Sequence, residues 1–80
     1  MEDNSLKYSL IFSTVFNLAD LSLLDKLEYQ SIKEWDSVGH MTLISELEEV
    51  FGVFMDTEDI IEFSSFTKGK EILLKYGVEF

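Results

Sequence analysis

The chain has 80 residues, 46% of them hydrophobic, with six lysines, no arginine and sixteen acids for a net charge of −10. That length supports one domain with a small core and leaves little room for an enclosed active site. The apolar content excludes a disordered chain, the charge opposes binding to nucleic acid and anionic lipid, and the lack of cysteine excludes disulfides, a thiolate nucleophile and a Cys-based zinc site. The Met1-Glu2-Asp3-Asn4 start does not read as a signal peptide and no run is long enough to span a bilayer, so a cytoplasmic location is expected.

From about Ser5 to Ala19, Tyr8, Ile11, Phe12, Val15, Phe16 and Ala19 recur at three- and four-residue spacing and predict a first helix, with Asp3 or Asn4 as its cap. Asp20 to Trp35 has weaker periodicity and reads mainly as loop, pinned by Leu21, Leu23, Leu24, Leu27 and Ile32. Leu23 to Tyr29 holds no Gly or Pro and can form a helical turn. A second helix is predicted from Ser37 to Phe51, with Gly52 as its stop. Asp56 then caps a short third helix through Glu62, anchored by Ile60 and Ile61, with Asp59 where an acid suits the N-terminal dipole.

Ser64-Ser65 breaks that helix, and a fourth fits Thr67 to Tyr76, with Phe66, Ile72, Leu73 and Tyr76 inward and Gly77 at the stop. Lys68, Lys70 and Lys75 fall mostly on its outer side, and Val78 to Phe80 can add a strand-like piece. With no repeat and no clear strand, the expected fold class is all-α: one domain over 1–80, a small four-helix bundle with a long first loop and a short third helix.

At roughly 100° per residue, Leu43, Ile44, Leu47, Val50 and Phe51 share one arc of the second helix, the core face, opposite Val38. Met41, Glu48 and Glu49 fall within about 80° of Val38, on the water side. Exposed single hydrophobes are common, so Val38 and Met41 carry no message by themselves. The alternative is a docking face in which Glu46, Glu48 and Glu49 steer a basic partner and Val38 and Met41 supply apolar contact.

Asp36-Ser37 stands at the start of this helix, where unpaired backbone N–H groups and the peptide dipoles favour an ester phosphate on the Ser37 hydroxyl. A serine there is more often a cap. Asp36 is able to cap in its place, which leaves Ser37 free as an attachment point. His40 lies near the core edge, where a structural hydrogen bond suits it better than general-base catalysis.

The run Trp35-Asp36-Ser37-Val38-Gly39-His40-Met41-Thr42-Leu43-Ile44-Ser45-Glu46-Leu47-Glu48-Glu49-Val50-Phe51-Gly52 resembles the phosphopantetheine-attachment region of acyl carrier proteins. Family members commonly show Asp-Ser-Leu, then apolar positions and a Leu-Glu-Glu-x-Phe ending, which Asp36, Ser37, Leu43, Leu47, Glu48, Glu49 and Phe51 reproduce. Helix order and the long first loop extend the resemblance over nearly the whole chain. Val38 replaces the usual Leu, and Gly39-His40 replaces polar or acidic residues. These departures set the chain apart from the housekeeping carrier of fatty-acid synthesis and point to a stand-alone specialised member.

The resemblance implies that an Mg-dependent phosphopantetheinyl transferase moves 4′-phosphopantetheine from coenzyme A to Ser37, with Asp36 orienting that complex or capping the helix. It implies a monomeric, non-enzymatic carrier of an acyl group held as a thioester, as in fatty-acid or polyketide biosynthesis. A loading ligase and acyltransferases or synthases with basic docking surfaces would be its partners. It also implies an acyl pocket drawing on Leu43, Leu47, Ile61, Phe66 and Ile72, each buried CH₂ of cargo contributing about 0.8 kcal/mol. An aminoacyl or D-alanyl carrier is the alternative within the family, and a non-covalent acidic helical adaptor the alternative outside it. No calcium loop, metal constellation, nucleophile-base pair or Gly-rich phosphate loop is present.

Overall fold

A computed structural model describes residues 3–80, so the first two residues of the Met1-Glu2-Asp3-Asn4 start lie outside it. Four α-helices and one 3₁₀ turn follow in order: α1 (Asn4–Phe16), the turn Leu21–Lys26, α2 (Ser37–Phe51), α3 (Thr57–Glu62) and α4 (Phe66–Leu74). Among the described residues the β pairing is confined to an isolated bridge between Glu28 and Ser65, so the fold is all-helical and the Val78 to Phe80 tail adds no strand. No described helix is long and apolar enough to cross a membrane.

Helix α1 starts where the Asp3 carboxylate accepts the Leu6 amide. It stops three residues earlier than expected, because Asn17 takes the left-handed conformation at φ 55° and the Leu18 amide turns back to the Ser13 carbonyl. Ala19 therefore falls past the helix and is exposed rather than in the core. The buried stripe is Tyr8, Ile11, Phe12 and Phe16, with Val15 packed at its edge. Helix α1 packs chiefly against α2.

The expected loop contains a 3₁₀ turn, capped by the Asp20 carboxylate on the Ser22 amide and hydroxyl. Leu24 and Leu27 are buried and pin it, whereas Leu21 and Leu23 face water. Backbone bonds also hold the loop in place. The Tyr29 amide donates to the Ser64 carbonyl at 2.8 Å and the Phe66 amide to the Leu27 carbonyl at 3.0 Å, tying the loop to the α3–α4 connection.

Aromatic rings fill the centre. Phe12 meets Tyr8, Phe66 and Trp35 edge-on at 4.9, 4.9 and 5.5 Å between centroids, and Trp35 stacks on Phe16 at 5.3 Å. The Tyr8 hydroxyl donates to the Phe66 carbonyl at 2.7 Å, and burial pushes its phenol pKa well up, so it stays a neutral donor. Val50, expected inside, lies at the edge of the α2 arc and is exposed.

Helix α3 has Asp56 at its cap position, but the Asp56 side chain makes no cap bond, contrary to expectation. Asp59, expected as a partner of the α3 dipole, is the one buried charged side chain among the described residues. Lys75 Nζ donates to it at 2.5 Å and the Tyr76 hydroxyl donates to its other oxygen. The Lys75 hydrogen bond, then that of Tyr76, holds the Asp59 carboxyl below the usual carboxylate range, and Asp59 raises the Lys75 pKa in turn. Ile60 is half-buried, while Ile61 projects into water rather than anchoring the helix. Helix α4 begins one residue before the expected start because the Ser65 hydroxyl accepts the Lys68 amide as its cap.

Candidate functional site

Helix α2 runs from Ser37 to Phe51 as the periodicity predicts. Asp36 caps it: the carboxylate accepts the Gly39 amide at 2.8 Å, and the Asp36 carbonyl accepts the His40 amide. The amides of Ser37 and Val38 are left without intrahelical acceptors. Ser37 itself is exposed, and its hydroxyl enters no hydrogen bond among the described residues. An exposed hydroxyl thus stands at the positive end of a 15-residue helix, with the capping done by its neighbour.

Gly39 has a structural duty beyond an open first turn. A Cβ there would overlap the Glu34 carbonyl oxygen and crowd the Phe16 ring. Only glycine lets the start of α2 come this close to the loop backbone, and that approach sets where Ser37 emerges.

His40 stands one turn in from Ser37. The Trp35 indole N–H donates to His40 Nδ1 at 2.9 Å, and His40 Nε2 bonds the Ile60 carbonyl at 2.8 Å. An indole nitrogen only donates and a carbonyl only accepts, so the ring carries its proton on Nε2. Both ring nitrogens are committed, which fits a structural role. The relay Trp35–His40–Ile60 joins the loop, α2 and α3, and Tyr29 and Phe63 meet the imidazole edge-on at 5.4 and 6.0 Å.

Beside Ser37 lies an open groove of about 350 Å³ between α2 and α3. Tyr29, Met41, Ile60, Ile61 and Phe63 give it apolar walls, while Ser37, His40 and Ser64 supply the polar atoms. Its volume is at the lower end of the range for small-molecule sites. The α3 wall is held by polar ties: the His40 bond, the Asp59–Lys75–Tyr76 cluster and the Asp56 amide donating to the Tyr76 hydroxyl.

The residues expected to form an acyl pocket are not brought together as a cavity. Leu43, Leu47, Phe66 and Ile72 belong to the close-packed core, and Ile61 alone of the five lines the groove at Ser37. Of the expected docking face, Val38 is 74% and Met41 51% exposed, and Glu46 and Glu49 reach solvent. Glu48 is half-buried, and its carboxylate accepts the Met55 amide at 2.9 Å, so it shapes the turn after α2. Tyr29, Phe63 and Ser64 were missed as site residues because they come from the loop and the α3–α4 connection, where periodicity carries no signal. No group of His, Cys, Asp and Glu among the described residues forms a metal cluster. Comparison with family models, curated proteins and solved structures returned no match.

Proposed function

We propose that this chain is a carrier protein, a four-helix bundle that bears 4′-phosphopantetheine on Ser37 and delivers an acyl group to partner enzymes. The observation that carries the reading is the Ser37 hydroxyl itself: exposed, without a hydrogen bond among the described residues, at the N-terminus of α2, with Asp36 occupying the cap. The amides of Ser37 and Val38 suit a phosphodiester oxygen, and the groove walled by Met41, Ile61 and Phe63 offers apolar contact to an arm leaving Ser37. When attached, the arm supplies a thiol on which cargo is held as a thioester, a chemistry the cysteine-free chain lacks.

On this reading Asp36 fixes the helix start and Gly39 its approach to the loop, while Trp35, His40 and Ile60 hold the groove's far wall. Val38 and Met41 give transferase and acyl-handling enzymes apolar contact, with Glu46 and Glu49 steering their basic surfaces. The protein binds and presents, and the catalytic groups are those of its partners. Incubation with coenzyme A, Mg²⁺ and a broad-specificity phosphopantetheinyl transferase tests the proposal: one arm is added to the wild type and none to Ser37→Ala. If a matched transferase adds no arm to the wild type, the chain is a non-covalent acidic adaptor instead. Analysis of cargo loaded in the source cell separates an acyl from an aminoacyl or D-alanyl carrier.

A further inference from the structure

Helix α1 is apolar on two faces. Tyr8, Ile11, Phe12 and Phe16 form its buried stripe, yet Leu6 and Leu10, 52% and 47% exposed, stand one turn apart on the far side. At roughly 100° per residue each lies about 160° from Tyr8, so neither can join the core while the helix stays in place. The Asp3 cap at one end and the left-handed Asn17 at the other hold it there. A surface helix ordinarily carries polar residues on its outer side, and apolar residues on both sides mark a helix that is covered on both.

The charge pattern says what can cover it. Between Asp3 and Asp20 the chain has no acid, and Lys7, to one side of the outer stripe, is the one charged residue. Along Leu6, Leu10, Thr14 and Asn17 the exposed surface is neutral. A basic partner finds no carboxylate to pair with on this stripe, and an anionic lipid surface is repelled by the rest of the chain. Two chains of net charge −10, by contrast, can meet here with their acids held apart. The residue order is also self-complementary. In a two-fold antiparallel pairing centred on Leu10, residues equally far before and after it face each other, so Leu10 meets Leu10, Leu6 meets Thr14 and Asp3 meets Asn17. Each bulky Leu6 then packs over a shorter side chain, the Asn17 amide faces a carboxylate at the rim, and the positive start of each helix lies beside the negative end of the other.

We infer that the outer face of α1 is a homodimer interface, antiparallel about Leu10, in which a second copy of this chain covers Leu6 and Leu10. Contact along one helix about 20 Å long covers less than the roughly 1,200 Å² of a standard specific interface, so the dimer is weak and forms with rising concentration. Salt strengthens it by screening the repulsion between the acidic faces. The inference does not rest on the carrier reading and stands or falls without it.

Sedimentation equilibrium of the full chain, at low and high salt over about a hundredfold range of concentration, is the test. The expected result is a mass that climbs from one chain toward two, more steeply at high salt. Leu10→Glu and Leu10→Lys each set like charges face to face at the centre and should weaken association at least about tenfold, whereas an equimolar mixture of the two variants should restore it because opposite charges then meet. Val50→Glu, a change at an exposed apolar position on α2, should leave association as in the wild type. Circular dichroism checks that all three variants keep the wild-type fold. A single-chain mass at every concentration, association that survives Leu10→Glu or is abolished by Val50→Glu, or a mixture that stays monomeric overturns the inference.

Discussion

His40→Phe keeps a ring of similar breadth but offers the Trp35 indole no acceptor and the Ile60 carbonyl no donor. Trp35 is completely buried, so its N–H has no water to turn to and carries a desolvation cost of about 1–3 kcal/mol. Loss of the bond to Ile60 adds about 0.5–1.5 kcal/mol. The total, about 2–4 kcal/mol, is a large share of the 5–15 kcal/mol typical of a whole domain. At about 4–8 °C per kcal/mol, Tm should fall by roughly 8–32 °C. Trp35 is the sole tryptophan, so its fluorescence reports urea unfolding directly. Trp35→Phe removes the orphaned donor, and because that variant lacks tryptophan, circular dichroism follows it and the double variant. The double variant should cost less than the sum of the singles by about 1–2 kcal/mol. Strict additivity would refute the Trp35–His40 bond as a tie between the loop and α2, and a loss below about 0.5 kcal/mol for His40→Phe would refute the relay as a whole.

Gly39→Ala, which in an open helix gains up to about 1 kcal/mol, should instead destabilise by about 1–2 kcal/mol because the added methyl meets the Glu34 carbonyl; a raised Tm would show the approach is not tight. Asp36→Ala should cost about 1 kcal/mol in urea unfolding, whereas Ser37→Ala should change stability by less than about 0.5 kcal/mol, since the cap belongs to Asp36. The pH dependence of the urea midpoint tests the Asp59–Lys75 pair. Asp59 has a lowered folded pKa, so its contribution is present above the unfolded carboxylate value and is lost as pH falls through the folded one. Lys75 has a raised folded pKa, so its share is complete below the unfolded lysine value and is lost as pH rises through the folded one. Asp59→Asn should flatten both limbs, and curves parallel to wild type would show the pair does not contribute.

Helix α2 and its stop were legible to the residue, because Leu43, Ile44 and Leu47 repeat with helical period and Gly52 can adopt the left-handed turn. Ser37 as a free hydroxyl followed from Asp36 standing one position earlier, where a short carboxylate reaches the Gly39 amide. Periodicity failed where polar bonds rule. The end of α1 was set by Asn17 and Ser13, and the charge of Asp59 was drawn inward by Lys75 and Tyr76, sixteen and seventeen residues along the chain. Ile61 illustrates the same limit, since six residues make too short a helix to show which isoleucine is buried. The groove could not be read at all: Tyr29, Met41 and Phe63 converge only after the loop is tied to Ser64 and Phe66.

The carrier reading is tested most directly by fragment mapping of the chain after reaction with coenzyme A and a phosphopantetheinyl transferase. A phosphodiester-linked arm located on Ser37, and absent from every other serine and from Ser37→Ala, is the expected result. An unmodified Ser37 under conditions that load an established carrier, or an arm on another residue, would contradict it.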